Sequence, residues 1–303
     1  MEKLDFNRQH GNKITLALGF FDSVHIGHRH LIKKMFELNE RLGTKSAIFT
    51  FINSPFEALG KNIKEIMTFD ERCKVFDNLG IDIVIYAKMD ESFMSLEADA
   101  FLDILIRNYN VKGIVCGSDY TYGIDASGNT ETLKNYCLKN QIELLIDELQ
   151  TIDGEKVSSS IIRKYIASGS IEEINKLLGK RYFIEGEVIH CAGRGRQLGF
   201  PTANIVISDR KTALESAVYQ TIVTVSGKKY KAITNVGERP TFNENAYIIE
   251  SYLDGFNEDI YGEKIIIEFV KKLRPIYLFD GKAKLIEQLE KDKETLKELN
   301  IND

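Results

Sequence analysis

The stretch Ile14-Thr15-Leu16-Ala17-Leu18-Gly19-Phe20-Phe21-Asp22-Ser23-Val24-His25-Ile26-Gly27-His28 decides how the first half of the chain folds. Residues 14–19 form an apolar run broken only by Thr15, the pattern of a strand covered on both faces. A polar, glycine-containing turn follows, and then a helical face of Leu31, Met35, Leu38 and Leu42 with Gly43 as its stop. Moving outward, the same grammar repeats. Short apolar runs at 46–51, 81–86, 113–117 and 142–146 alternate with amphipathic stretches. Thr68 and Glu71 have the spacing of a capping box, opening a helix that ends near Gly80. A further helical face carries Ala98, Phe101, Leu102 and Leu105. Strand–helix alternation at this spacing predicts an α/β domain with a Rossmann-like parallel sheet and helices on both faces.

After the turn signal Asp153-Gly154, two short helical stretches end at Gly169 and Gly179, and the grammar changes. Strands are expected at 182–189, 203–207, 219–225, 229–235, 247–253 and 264–271, with Gly227 as a hairpin signal. No long helix is expected until about Gly281. This half reads as a small antiparallel β-barrel with a C-terminal helix, whose leucines and isoleucines suit a packing face. The predicted domains are 1–180 and 181–303, comfortable for a chain of 303 residues. The net charge of −5 carries no basic patch, which argues against a nucleic-acid partner. The N-terminal residues are polar and lack a signal-peptide pattern, and no apolar run approaches the roughly 20 residues of a membrane helix. Cys73, Cys116, Cys137 and Cys191 form no Cys-x-x-Cys pair, which argues against a zinc site or disulfide framework and for a reducing cytoplasm.

His25, His28 and His30 are three of the five histidines. They stand where a parallel strand hands over to a helix, the place where such sheets bind ligands and a helix N-terminus awaits phosphate. Two imidazoles there can donate hydrogen bonds to phosphate oxygens as charge develops, and Gly27 lets the backbone approach a nucleotide. Surface histidines on an ordinary helix, or a metal site, are the alternatives. Downstream, Ser158 and Ser159 precede a helix and can face an anion, with Arg163 as a charge-assisted fork, although a plain helix cap also explains the serines.

The His-x-Gly-His string resembles that of the class I nucleotidyltransferases, in which the pair contacts ATP phosphates in the transition state. The longer Gly-x-Phe-Asp-x-x-His-x-Gly-His string is similar to the FAD synthetases, which implies nucleotide contacts for Gly19, Phe21, Asp22 and Gly27. Gly117-Ser118-Asp119-Tyr120-Thr121-Tyr122-Gly123 resembles a segment that holds nucleotide and flavin in that family, implying such roles for Asp119 and Tyr122. The segment around Ser158, Ser159 and Arg163 resembles its phosphate-binding Ser-Ser-Thr-x-x-Arg. Departures are Ser23 for Gly, Tyr120 and Tyr122 for Phe, Ser160 for Thr, and Asn53-Ser54-Pro55 where the family has Pro-His-Pro.

In the second half, Gly193-Arg194-Gly195-Arg196-Gln197-Leu198-Gly199-Phe200-Pro201-Thr202-Ala203-Asn204 follows the first barrel strand. Gly193, Gly195 and Gly199 make a loop able to approach phosphates. Thr202 and Asn204 alternate along a strand and so point the same way, where a hydroxyl and an amide can ligate Mg²⁺ or bond a phosphate. A Gly/Arg-rich surface loop is the plainer alternative. The full string closely resembles the riboflavin kinase signature, which implies that Thr202 and Asn204 hold Mg²⁺ and ATP phosphate. The same resemblance makes Glu250 the base. Strand alternation places Glu250 with Ile248 and Tyr252, where burial would raise its pKa; an exposed strand glutamate is the plainer alternative. Arg274, in the family's Leu-Arg, is implied to lie near the flavin; Cys191-Ala192 stands where the family has Gly-Asp.

The resemblance spans about 14 to 299 and identifies the chain with the bacterial bifunctional riboflavin kinase/FAD synthetases. It implies a nucleotidyltransferase domain followed by a kinase domain. ATP, riboflavin, FMN and FAD would be substrates or products, Mg²⁺ the cofactor, and the protein a monomer or weak homo-oligomer. A kinase with a degenerate first domain and a flavin-binding regulatory or storage protein are the rival expectations.

Overall fold

The computed structural model describes residues 1–148, 150–152, 154–191, 199–238 and 247–301. Contacts divide the chain into two units, Met1–Ser159 and Ser160–Asp303.

In the first unit the apolar run becomes the second part of β2 (His10–Leu18), buried from residue 14 to 18. The other strands are β1 (Glu2–Asp5), β3 (Lys45–Phe51), β4 (Ile83–Ala87), β5 (Tyr109–Gly117) and β6 (Glu143–Asp147). They form one sheet in the order β1-β4-β3-β2-β5-β6, every neighbouring pair parallel. The predicted strands are all present. β1 is additional: its residues are polar except Leu4, which at 2% exposure anchors an edge strand to the core. One apolar residue in a strand that short leaves no period to read. The helices include α1 (Ile26–Leu42), α2 (Pro55–Ala58), α3 (Phe69–Asn78), α4 (Glu91–Met94), α5 (Ala98–Asn108) and α6 (Thr130–Lys139). Gly43 ends α1 in the left-handed region at φ 60°, which its missing Cβ permits. The Thr68–Glu71 capping box opens α3 as expected, with both of its hydrogen bonds made. The strand order leads from β2 through β3 to β4 on one side and through β5 to β6 on the other. This switch point puts the segments after β2 and β5 side by side at the carboxyl edge of the sheet. A two-strand ribbon of β7 (Thr151–Ile152) and β8 (Glu155–Lys156) precedes α7 (Ser159–Ser168).

The second unit opens with most of α7 and with α8 (Ile171–Leu178), which Asn175 docks to the sheet by donating to Phe269 O and accepting from Tyr182 N. Its six strands are β9 (Tyr182–Glu187), β10 (Thr202–Val206), β11 (Ala217–Val225), β12 (Lys228–Glu238), β13 (Tyr247–Leu253) and β14 (Lys264–Pro275). They pair antiparallel in the order β10-β13-β12-β11-β14-β9. The sheet curls so far that a single bridge, Val188 to Ile205, joins its two ends. Ser226 and Gly227, both at positive φ, turn the tight hairpin between β11 and β12. The final helix, α9 (Lys282–Glu294), is shorter than the leucine pattern implied. Leu296 and Leu299 lie beyond it, in and after a 3₁₀ turn, buried against Val218, Ile222 and Ile233. Among the described residues no helix is long and apolar enough to cross a membrane.

Candidate active sites

In the first unit His25 is the N-cap of α1, and its Nδ1 accepts from His28 N at 3.2 Å. The two imidazoles stack with centroids 3.7 Å apart and planes 8° from parallel. They are not surface histidines: His25 is 7% exposed, and His28 packs on Phe21 at 5.1 Å. A Cβ on Gly27 would stand 3.2 Å from the His25 ring, so a larger residue there would press on the imidazole. A Cβ on Gly19 would come within 3.0 Å of the Phe21 ring. Phe21 and Val24 occupy the left-handed region at φ 55° and 44°, strained conformations for residues with bulky or branched side chains.

Buried polar groups hold that strained loop. Asp22, 2% exposed, accepts from Ile66 N at 2.9 Å. Arg72 is fully buried and donates to Phe20 O, Thr50 Oγ1 and Phe51 O at 2.8, 2.6 and 2.8 Å, with its guanidinium 4.6 Å from the Phe20 ring. Burial lowers its pKa, while Asp22 and Glu65 oppose that shift. Exchanging Arg72 for Met removes its buried donors from the Phe51 carbonyl, from Thr50 Oγ1 and from the Phe20 carbonyl, which keeps only the Thr50 hydroxyl. The expected cost to the first unit is on the order of 3 kcal/mol. In urea, FAD formation should be lost at a lower concentration while FMN formation keeps its midpoint; equal midpoints with the parent would refute the clamp.

Desolvation pushes the His25 pKa down to about 4, against smaller opposing contributions from its backbone hydrogen bond and Asp119. Desolvation, and then the neighbouring His25, lowers His28 well below the ordinary value. Both rings are therefore neutral at pH 7. Because Nδ1 of His25 is an acceptor, its proton sits on Nε2, which is left to donate. Nδ1 of His28 is buried with no partner among the described residues. Between about pH 6.5 and 4 the unfolded chain protonates His25 and the folded chain does not. Stability therefore falls as pH drops through that window, by on the order of 3 kcal/mol for this one ring. His25→Asn keeps a capping acceptor and removes the titration. Melting curves across that window should show a shallower pH dependence for the variant than for the parent, and parallel curves would contradict the assignment.

The remaining first-half candidates separate. Ser23 is fully buried and its Oγ lies 3.2 Å from Oγ of Ser159, tying the loop after β2 to the start of α7. The departure from Gly thus gains a partner among the expected phosphate ligands. Ser158 directly precedes α7, and Arg163 lies one turn into it. Asp119 pairs with Lys156 at 3.2 Å. Tyr122, expected at the flavin, is 7% exposed within the core cluster, with its hydroxyl 3.2 Å from Thr132 Oγ1 and its ring stacked on Tyr120.

In the second unit strand register builds the site. Asn204 on β10 stands opposite Glu250 on β13, and Glu250 stands opposite Asn235 on β12. Directly opposed residues share a face, so the three side chains form one row across the sheet. That row lines a cavity of about 600 Å³, together with Thr202, Arg274, Tyr277, Phe279, Leu285 and Leu289. Its size suits a small-molecule ligand. A second cavity of about 330 Å³ lies on the side of Asp259 and Tyr261, and Thr202, Asn204 and Cys191 line both. Asn204 spends its amide on Thr202, donating to its carbonyl and hydroxyl oxygens at 3.2 and 3.4 Å. Its Oδ1, like that of Asn235, is buried without a partner among the described residues. Glu250 is half-buried and open to the cavity rather than enclosed. Arg274 lines the cavity but is held by Asp292, donating through Nε and Nη2, the latter at 2.7 Å. Gly199 is exposed at φ 85°, while Gly193 and Gly195 lie outside the described residues.

Asn235 and the face of α9 were not among the expected site residues. Asn235 opens the segment 235–242, which resembles the riboflavin kinase Asn-x-Gly-x-Arg-Pro-Thr-Phe, but that resemblance gave it no role of its own. Leu285 and Leu289 carry an amphipathic pattern that reads equally as core packing, and the structure uses it as a cavity wall.

The family model for FAD synthetase matches residues 7–161, and that for riboflavin kinase matches 178–300. A Bacillus subtilis (strain 168) protein named bifunctional riboflavin kinase/FMN adenylyltransferase is 36% identical over 288 residues, covering 93% of this chain and 91% of its own. One of the same name from Listeria monocytogenes is 35% identical over 287 residues, with the same coverage. A solved structure titled macrolide-efflux protein from Streptococcus pneumoniae has a TM-score of 0.90 at 30% identity, over 99% of this chain and 100% of that one.

Proposed function

The chain belongs to the family of bifunctional riboflavin kinase/FMN adenylyltransferases, and from that membership we propose how each half works. The protein phosphorylates riboflavin with ATP to FMN, and joins FMN to a second ATP to give FAD and pyrophosphate.

The observation that carries the kinase assignment is the row Asn204–Glu250–Asn235 facing the larger cavity. Riboflavin occupies that cavity and ATP the smaller one, with Thr202 and Asn204 at the join. Glu250 takes the proton of the ribityl 5′-hydroxyl, whose oxygen attacks the γ-phosphorus as ADP leaves. The buried Oδ1 of Asn204 has no partner among the described residues, and Thr202 lines the same two cavities, so the two oxygens of these residues would hold Mg²⁺. When bound, the ion offsets charge on the ATP phosphates. Gly199 lies at the phosphate side, the resemblance assigns Gly193 and Gly195 (outside the described residues) to the same role, and Arg274 orients the flavin end of the cavity through its fixed guanidinium.

In the first half the FMN phosphate itself attacks the α-phosphorus, so no protein nucleophile is required and positioning carries most of the rate. Neutral His25 and His28 donate to the phosphate oxygens, and a neutral pair costs less to bury than a charged one. Gly19, Phe21, Asp22 and Gly27 shape the nucleotide turn, Asp119 and Tyr122 hold the nucleotide and flavin segment, and Ser158, Ser159 and Arg163 bind phosphate. This division of labour places the functional boundary at 180/181, between domains 1–180 and 181–303. The enzyme works in the cytoplasm on small molecules, as a monomer or weak homo-oligomer.

Chromatography of flavins after incubation with riboflavin, ATP and Mg²⁺ tests both sites at once. FMN followed by FAD is expected. FMN alone would overturn the first-half reading and leave a kinase.

A further inference from the structure

Four cysteines occur in the chain, and their surroundings differ sharply. Cys73, Cys116 and Cys137 are 3%, 0% and 1% exposed. Burial raises all three thiols, Cys116 to about 12 and Cys137 to about 11, so they hold almost no thiolate near neutrality. Cys191 is only half-buried, forms no disulfide, and lines both kinase cavities where they meet. Asn204 marks that junction as a place built for a ligand. It lines both cavities at 6% exposure, with Oδ1 buried and unpartnered among the described residues.

We propose that Cys191 is a redox modification site at which a low-molecular-weight disulfide, of the glutathione type, reversibly blocks the kinase half while leaving FAD formation running. The thiolate of Cys191 attacks one sulfur of the incoming disulfide. A Cys191–S–S–R bond forms, the second sulfur leaves as a thiolate and takes up a proton, and a dithiol reductant reverses the exchange. An adduct the size of a tripeptide would fill much of the 330 Å³ cavity beside Thr202 and Asn204, where the phosphates of ATP are placed. Bound ATP would in turn shield the sulfur. The consequence is selective: under disulfide stress the protein stops making FMN but still converts existing FMN to FAD. This inference rests on the kinase reading of the cavity pair.

The test treats the full-length protein with oxidised glutathione and follows intact mass, FMN formation from riboflavin, and FAD formation from supplied FMN. One glutathionyl adduct on a peptide containing Cys191 is expected. FMN formation should fall at least tenfold, FAD formation should stay within twofold, and a dithiol should restore the loss. ATP with Mg²⁺ should slow labelling at least tenfold. Cys191→Ser protein, compared with its own untreated activity, should be insensitive to the reagent. An adduct at Cys191 with FMN formation intact overturns the proposal, as does a folded protein that takes no adduct there. If the untreated protein forms no FMN at all, the kinase reading itself fails, and that outcome is seen before any reagent is added.

Discussion

Glu250→Gln is expected to lower FMN formation by about 10³-fold while FAD formation from supplied FMN stays within twofold of the parent. General-base removal costs about 10²–10⁴ in rate, and Gln has the shape of Glu with no capacity to take the proton. The side chain is half-buried on a cavity wall, opposite Asn204 and Asn235, so the exchange leaves the strand pairing of β13 untouched. The loss should appear in kcat at saturating riboflavin and ATP, since Glu250 is asked to act on the reacting hydroxyl rather than to hold either substrate. Retention of FMN formation within tenfold would move the base elsewhere on the cavity wall.

His28→Ala is expected to show the mirror image. FAD formation should fall by about 10²–10³-fold, the cost of removing one preorganised donor from a site of developing charge, with FMN formation unchanged. The ring packs between His25 and Phe21, so Ala also opens a small void in a strained loop. His28→Gln separates the two effects, because its amide nitrogen restores an N–H donor near the reach of Nε2, whereas Nδ1 is buried. Partial recovery of FAD formation with Gln supports donation, whereas equal loss in both variants points to packing alone. If Glu250 and His28 variants each damaged both activities to the same degree, the two-site assignment would be wrong.

Much of this architecture was legible along the chain. The alternation of apolar runs with amphipathic stretches was enough for the parallel sheet, because strand and helix periods repeat within a few residues of one another. The Thr68–Glu71 box and the Gly43 stop are likewise local, each closing hydrogen bonds within one or two turns. The strings around His25 and Thr202 that carry the two proposed sites are likewise contiguous in sequence.

Burial and partnership were decided only in three dimensions, because they depend on segments distant in sequence. Leu4 makes β1 a strand by reaching the core beside β4, some eighty residues on. Arg72 lies within an ordinary helix face in sequence, yet it clamps the carboxyl ends of β2 and β3. Tyr122 is set among Phe101, Thr132 and Tyr120 by contacts that its own motif does not encode. Asn235 joins Glu250 and Asn204 through the register of three strands, which no single stretch encodes. The neutral state of the histidine pair is of the same kind. The residues were written in the sequence, but their protonation follows from the desolvation imposed when the sheet, Phe21 and α1 close around them.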